Sequence, residues 1–536
     1  MKLETNVLYY GDNLDVLRKH IPDESIDLIY LDPPFNSNRS YNVLFRESGG
    51  AGSEAQIEAF EDTWRWGPAA QAAYEEVVTG PHQKVARMLR AMVEGLTHND
   101  VTAYLSMMAI RLIELHRVLK TTGSLYLHCD PTAGPYLRVI MDAVFGPRNL
   151  CAQIAWKRFS SHGNVSKTYG RIQDTLLFYA KGDSWTWNQP YRPLSEKYVD
   201  DFFRHVEPGT SRRYRLQNVL NPNKDRPNLT YEWNGHSRVW KWTRDRMQQL
   251  HDSGMLEYSK TGLLKGVRQY LDDSPGEKIQ DIWDDIRPVG QTGEVDLGYP
   301  TQKPIALLER IINASSNPGD VVLDPFCGCG TAVHAAQKLD RKWIGIDITH
   351  LAIGLIRRRM QDAFPGIDIR VIGEPVDLGG AKELAARDKY QFQWWALDRL
   401  GAQPVAGKKK GADKGIDGVI PFFAGPKDDY KRALVSVKGG EHVGVAAVRD
   451  LRGVLERENE PVGVVLTLTK PTREMVKEAA AAGFYHNDFW QKDYPRIQLL
   501  TIEETLAGKR PEVPAHQAPF AKAPREREQA GTPRLL

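Results

Sequence analysis

The chain of 536 residues has only four cysteines, Cys129, Cys151, Cys327 and Cys329. So few, so irregularly spaced, they exclude a disulfide framework. Their single Cys-x-Cys pair has no companion ligands at zinc spacing. Long hydrophobic runs are missing as well: no stretch of about 18 apolar residues occurs, and the start does not have the charged-then-apolar pattern of a signal peptide. The expectation is a soluble, cytoplasmic protein with no membrane partner. An excess of one charge is also lacking. The net charge is only +3, so general attraction to a polyanion is excluded and any basic surface must be local. The length allows roughly three to four domains.

What the chain does have is a short apolar run, Leu28 to Leu31, that reads as a buried strand and stops at Asp32-Pro33-Pro34-Phe35. Two prolines can continue neither a ladder nor a helix, so the loop is rigid. It carries a carboxylate, a proline carbonyl with no donor beside it, and an aromatic face. Such a loop suits a planar ring bearing an exocyclic amino group. The nitrogen lone pair of that group is delocalised into the ring; two acceptors gripping its hydrogens favour the tetrahedral form and free the pair for attack. Asp32-Pro33-Pro34-Phe35 resembles the catalytic tetrapeptide of DNA methyltransferases that act on amino groups and take methyl from S-adenosyl-L-methionine.

Upstream, Asn6 to Tyr10 is a predicted strand, followed by Gly11-Asp12 and a short helix from Asn13. Asp12 can be a ligand-binding strand-end acid or the helix N-cap, or both. Downstream, Asn36 to Gly52 reads as a loop that could close over a substrate, and Glu54 to Gly95 as a helical insertion. A helix over Val101 to Lys120 and a strand over Ser124 to Asp130 add another α/β step.

From Cys151 to Tyr270 the alternation is lost, and 20 Lys and Arg stand against 11 Asp and Glu, interleaved with aromatics. Cations such as Arg212, Arg213, Arg215 and Arg238 are what a DNA-reading module needs for phosphates and base edges. After an acidic stretch, Thr301-Gln302-Lys303-Pro304 leads into a helix. The strand Val321 to Leu323 then delivers Asp324-Pro325-Phe326-Cys327-Gly328-Cys329-Gly330-Thr331. Alternate glycines let the backbone pass close to a ligand, and a second strand ends in Asp347, placed to hold a ribose hydroxyl pair. There is no third glycine for a pyrophosphate, so the cofactor is one without phosphates.

These motifs extend the resemblance. Asp324 to Thr331 resembles the methyltransferase cofactor loop, Asp347 its ribose acid, Lys303 and Pro304 with Thr301 the motif before that loop, and Asp12 a residue near the cofactor adenine. The order of catalytic loop, basic region and cofactor loop is similar to the permuted beta class, which includes type III modification subunits. The resemblance covers about 1–150 and 297–373. It implies base flipping, stacking on Phe35, and adenine N6 as the target, with cytosine N4 as the alternative. Methyl transfer itself calls for no metal.

Beyond Gly373 the stretch 374–384 reads as a linker, which would leave the methyltransferase independent of the C-terminal segment. The segment 385–507 resembles a Mrr-like PD-(D/E)xK nuclease fold. Asp417 and Lys438 match that pattern, and Ser436 stands where the middle acid belongs; magnesium is the metal the pattern implies. The tail 508–536 reads as disordered.

The expected architecture is therefore α/β: a Rossmann-like methyltransferase sheet from 1–150 and 297–373, an inserted DNA-recognition region over 151–296, and a second, smaller α/β restriction-endonuclease-like domain. Double-stranded DNA is the expected partner, with a homodimer or a restriction-system subunit as further partners. Two alternatives to a pure methyltransferase stand: a combined restriction and modification enzyme that also cleaves DNA, and a DNA-binding regulator on an inactive scaffold.

Overall fold

A computed structural model describes residues 2–34, 66–130, 132–158, 167–289, 302–405, 415–425 and 429–514. The main sheet is built from β1 (Val7–Tyr10), β2 (Ile26–Leu31), β3 (Leu119–Cys129), β4 (Leu150–Lys157), β5 (Gln173–Ala180), β6 (Ile282–Trp283), β7 (Val321–Asp324), β8 (Lys342–Asp347) and β9 (Arg370–Ile372). Their order is β6-β4-β5-β3-β2-β7-β8-β1-β9. The six strands from β3 to β9 are parallel, and β5 runs antiparallel to both β3 and β4. Strands buried on both faces read as continuous apolar runs, which is why Ile29 to Leu31 and Val321 to Leu323 show no alternation.

Helices α1 (Asn13–His20), α2 (Pro68–Thr79), α3 (Gln83–Leu96), α4 (Asp100–Val118) and α5 (Gly134–Phe145) belong to the first half of the sheet. In the second half are α6 (Ile305–Ser315), α7 (Thr331–Lys338) and α8 (His350–Ala363). The start of α4 is fixed by a reciprocal capping box between Asn99 and Thr102. Its apolar stripe joins Ile29, Leu31, Leu125 and Leu323 in one core.

The chain forms two compact units, and Gln189–Gln280 is the second. Of the span 151–296 expected as a recognition region, Gln189–Gln280 forms the separate unit, whereas β4, β5 and β6 belong to the main sheet. Gln189–Gln280 has its own four-stranded sheet and a core of Val219, Trp233, Trp240, Met247, Leu256, Leu264 and Val267.

The supposed linker is also different. Helix α9 (Leu378–Arg387), capped by Asp377, starts inside it and is followed directly by α10 (Lys389–Arg399). These helices close the core of a five-stranded mixed sheet, β10 (Gln403–Pro404), β11 (Gly418–Gly425), β12 (Asp429–Lys438), β13 (Val462–Thr467) and β14 (Ile497–Thr501), in that order. The expected tail starts later than residue 508, since Glu512 bonds Gln498 through both its backbone groups. Residues 515–536 lie outside the described residues, as do the whole of the expected loop at Asn36 to Gly52, Phe35 and Thr301.

Candidate active site

Four neighbouring parallel strands, β2, β7, β8 and β1, end in acids. Asp32 follows β2, Asp324 and Asp347 are the last residues of β7 and β8, and Asp12 lies two residues beyond β1. The Asp32 loop and the loop from Asp324 to Thr331, far apart in sequence, are thereby brought to one edge because β7 pairs with β2 and with β8. The carboxyl edge of an open parallel sheet is where such folds bind ligands.

Asp32 shows a specific asymmetry. Its Oδ2 accepts from the Lys303 ammonium, and both side chains are largely buried. Its Oδ1 is buried with no hydrogen-bond partner among the described residues. A buried carboxylate oxygen without a donor is costly, and it marks the place where a donor is received. Pro33 is buried beside it. Lys303, expected from its motif to serve the cofactor, thus pairs with Asp32 in the structure.

Under this loop lies a chain of polar groups that sequence reasoning did not single out. Tyr30 Oη meets His128 Nδ1 at 3.1 Å, His128 Nε2 meets Asp174 at 3.1 Å, and Arg158 donates to Asp174 at 3.1 Å. Burial raises the Asp174 carboxyl, but the bond from His128 and the charges of His128 and Arg158 hold it below its ordinary value. Burial, followed by the nearby charge of Asp32, pushes the Tyr30 phenol well up, so it stays a neutral donor.

Asp12 takes the N-cap role. It caps α1 by accepting from Leu14 N at 2.7 Å, and both its oxygens accept from Arg111 Nη2 at 2.8 Å. Arg111 Nε also donates to Asn13 Oδ1 at 2.6 Å, and Asn13 Nδ2 donates to the Pro325 carbonyl at 2.8 Å. This line ties the first half of the sheet to the cofactor loop. Arg111 could have been found: it is a cation on the apolar face of α4, between Met108 and Leu115, and such a charge must be paired.

The loop itself is held from several directions. Phe326 N donates to Asp324, Cys327 N to the Ile346 carbonyl, and Gly328 N to Asp347 Oδ2. The other Asp347 oxygen accepts the Thr349 N–H and hydroxyl at 2.9 and 2.8 Å. Gly330 starts α7 at φ +75°, and a Cβ there would meet Ile356 at 2.8 Å. Pro304 stands at the N-terminal boundary of α6, and Thr331 Oγ1 accepts from buried Arg359 at 3.2 Å. Burial raises Asp324 well above the carboxylate range, with the charges of Asp32 and Asp347 adding to it. Burial likewise lifts Asp347 to about 6, against the hydrogen bonds from Thr349 and Gly328. The Cys327 and Cys329 thiols are raised by burial and are inert packing groups.

The arginines of the second unit fall into two sets. Arg212 pairs with Asp272 and Asp273 and lies over the Tyr270 ring. Arg213 pairs with Asp200 and bonds the Phe203 carbonyl, and Arg215 bonds Gln269 and Tyr198. Arg238 is exposed, on the separate hairpin Thr230–Trp233 and His236–Val239.

In the C-terminal domain, Asp417 accepts from Gln393 Nε2 at 3.1 Å and from Val437 N at 2.6 Å. Ser436 is buried on β12, and Lys438 ends that strand. Among the described residues no group of three or more acids, histidines or cysteines could hold a metal.

Residues 26–357 match the family of N6 and N4 DNA methylases, and residues 389–507 match the family called NACHT-associated inactive Restriction Endonuclease 1. Among curated proteins, the type II methyltransferase M.EcaI of Enterobacter cloacae is 31% identical over 362 residues, 67% of this chain and 69% of its own length. The Mod subunit of the type III restriction-modification enzyme StyLTI of Salmonella typhimurium is 27% identical over 354 residues, 63% of this chain and 50% of its own. The DNA adenine methyltransferase YhdJ of Escherichia coli K12 is 26% identical over 365 residues, 67% of this chain and 84% of its own. Among the described residues no helix is long and apolar enough to cross a membrane.

Proposed function

Because the chain belongs to the N6/N4 DNA methylase family, we propose that it moves a methyl group from S-adenosyl-L-methionine to the N6 amino group of an adenine flipped out of double-stranded DNA. The observation that carries this reading is the buried, unpartnered Oδ1 of Asp32. Among the described residues it is an acceptor without a donor at the strand end, next in sequence to Pro33, and an amino group supplies the donor it lacks. Withdrawing the amino hydrogens toward acceptors drives the nitrogen toward tetrahedral geometry, and the carboxylate stabilises the positive charge that nitrogen gains. Lys303 fixes the rotamer by occupying Oδ2, which leaves Oδ1 for the substrate. Likeness to a named adenine methyltransferase favours adenine over cytosine N4.

The residues present fit the cofactor. Asp324, Asp347 and Asp12 end adjacent strands, and the charge of Asp347 adds to the raised proton affinity of Asp324. Carboxyl groups at such an edge are hydrogen-bond partners for hydroxyls. S-adenosyl-L-methionine bound there supplies a methyl group on a positively charged sulfur. Asp347 would take the ribose hydroxyls, and Gly328 and Gly330 let the backbone approach. Magnesium does not fit the C-terminal domain, where Asp417 is engaged by Gln393 and Val437 N and Ser436 replaces an acid. We read Gln189–Gln280 as the sequence-reading unit, with Arg238 among its DNA contacts, and the motif order as the permuted beta class. The likeness to a Mod subunit supports a restriction partner.

Asp32→Asn tests the assignment, since an amide keeps the size but replaces an acceptor with a donor. Methyl transfer to DNA falls by about two to four powers of ten while cofactor affinity survives. Activity near that of the parent would remove Asp32 from the reaction.

A further inference from the structure

Helix α10 has two working faces. Phe392, Trp395, Ala396 and Leu397 fill the core of the C-terminal domain. Tyr390, Gln391, Trp394 and Asp398 share the opposite side at helical spacing and meet α8. Gln391 is 4% exposed, and its Oε1 accepts the backbone N–H of His350 at 3.0 Å. That N–H belongs to the first turn of α8, where no helical carbonyl can satisfy it. His350 lies three residues after Asp347, and its ring stacks on Tyr10 at 3.6 Å. Trp394 packs against Cys329 and Leu351. Asp398 accepts from Arg357, which also pairs with Glu374. The approach is close: a Cβ on Gly354 would meet Asp398 Oδ1 at 2.6 Å.

From α8, Arg359 donates to the Cys329 carbonyl at 3.0 Å and to Thr331 Oγ1. The turn from Cys327 to Thr331 is therefore bonded to Asp347 on one side and backed by Arg359 and Trp394 on the other. Gln393, on the same helix, bonds Asp417. The acid that would anchor a metal in a nuclease here anchors the helix that reaches the cofactor loop.

We propose that the restriction-endonuclease-like domain is the rear support of the cofactor loop, with Trp394 and Gln391 as positioning residues that set affinity for S-adenosyl-L-methionine. The inference rests on the reading of that loop as the cofactor site. It gives an inactive nuclease fold a task inside the transferase.

The test uses the full-length protein, calorimetric titration with S-adenosyl-L-methionine, and steady-state transfer to unmethylated plasmid. Trp394→Ala raises the cofactor Kd and KM by about tenfold, while kcat at saturating cofactor and the KM for DNA stay at parent values. Trp394→Phe keeps the packing and recovers most of the affinity. Gly354→Ala, which wedges α8 away from α10, also raises the Kd and serves if Trp394→Ala does not fold. Val448→Ala thins the domain's other core and leaves cofactor affinity unchanged at a temperature where thermal unfolding shows it native. Parent affinity in both Trp394→Ala and Gly354→Ala overturns the inference, as does a loss in Val448→Ala equal to theirs. A parent protein that binds no S-adenosyl-L-methionine overturns instead the reading of the loop, and the inference with it.

Discussion

Asp32 and Lys303 meet although 271 positions separate them in sequence. Both are largely buried, and removing one takes away the other's directly bonded ion-pair partner. Lys303→Met should lower unfolding stability by about 3 kcal/mol. Adding Asp32→Leu should restore much of it, because two apolar side chains of similar size replace an ion pair at little net cost. Denaturant titration of the three variants checks this, and a double variant no more stable than Lys303→Met would show that the pair is not what burial made costly. Asp347 offers a pH signature. Its folded value of about 6 lies above the ordinary 3.8, so between those limits the folded protein holds a proton that the unfolded chain has lost. Stability contributed by Asp347 is full at the acid end and is lost as pH rises through about 6. Ribose hydroxyls want the ionised carboxylate. Cofactor affinity should therefore increase from about pH 5 to about pH 7 and then level off, with proton release on binding. Asp347→Asn should flatten that profile in calorimetry, and a parent profile already flat would take Asp347 out of the site.

At the level of elements, what could be read from the chain was whatever the sheet imposes locally. Strands ending in Asp32, Asp324 and Asp347 were legible because a doubly buried strand is an uninterrupted apolar run that must stop at something polar. The glycines of the loop were legible because close approach needs them. Gly330→Ala illustrates how strictly: a left-handed residue acquires a Cβ that meets Ile356 at 2.8 Å, so either α8 moves or the turn opens. The expected result is a cost of about 1 to 3 kcal/mol and a clear loss of cofactor affinity, read by thermal unfolding and calorimetry. Equal affinity would mean the turn does not shape the site. Not legible was anything made by elements meeting across the fold. Lys303 sits in a recognisable motif, yet its partner comes from the other half of the sheet. Gln391 and Gln393 are two ordinary polar residues of one helix until α8 and Asp417 are placed beside them. Helix α9 was hidden by Pro375, Gly379 and Gly380, whose local preference for turns is overridden by packing of Ala381 and Leu384.

For the whole molecule, the telling feature is how the unit Gln189–Gln280 is sewn in. Tyr191 and Arg192 pair antiparallel with Lys278 and Glu277, and Arg192 forms an ion pair with Glu277 at 2.9 Å. Just outside the unit, Asn188 donates to the Ala314 and Ser316 carbonyls, and the Asp281 carbonyl accepts from Ala155 N. Replacing residues 193–276 with a short glycine-serine linker should therefore leave a folded protein that binds S-adenosyl-L-methionine within about threefold of the parent, since a linker closing an already closed stem adds little entropy. Site-specific methylation should vanish. If it persists, the reading of DNA sequence lies elsewhere in the chain. The same stem makes the unit exchangeable in principle: if Gln189–Gln280 reads DNA sequence as proposed, a swap between Arg192 and Glu277 would change the target while the acids of the main sheet stay as they are.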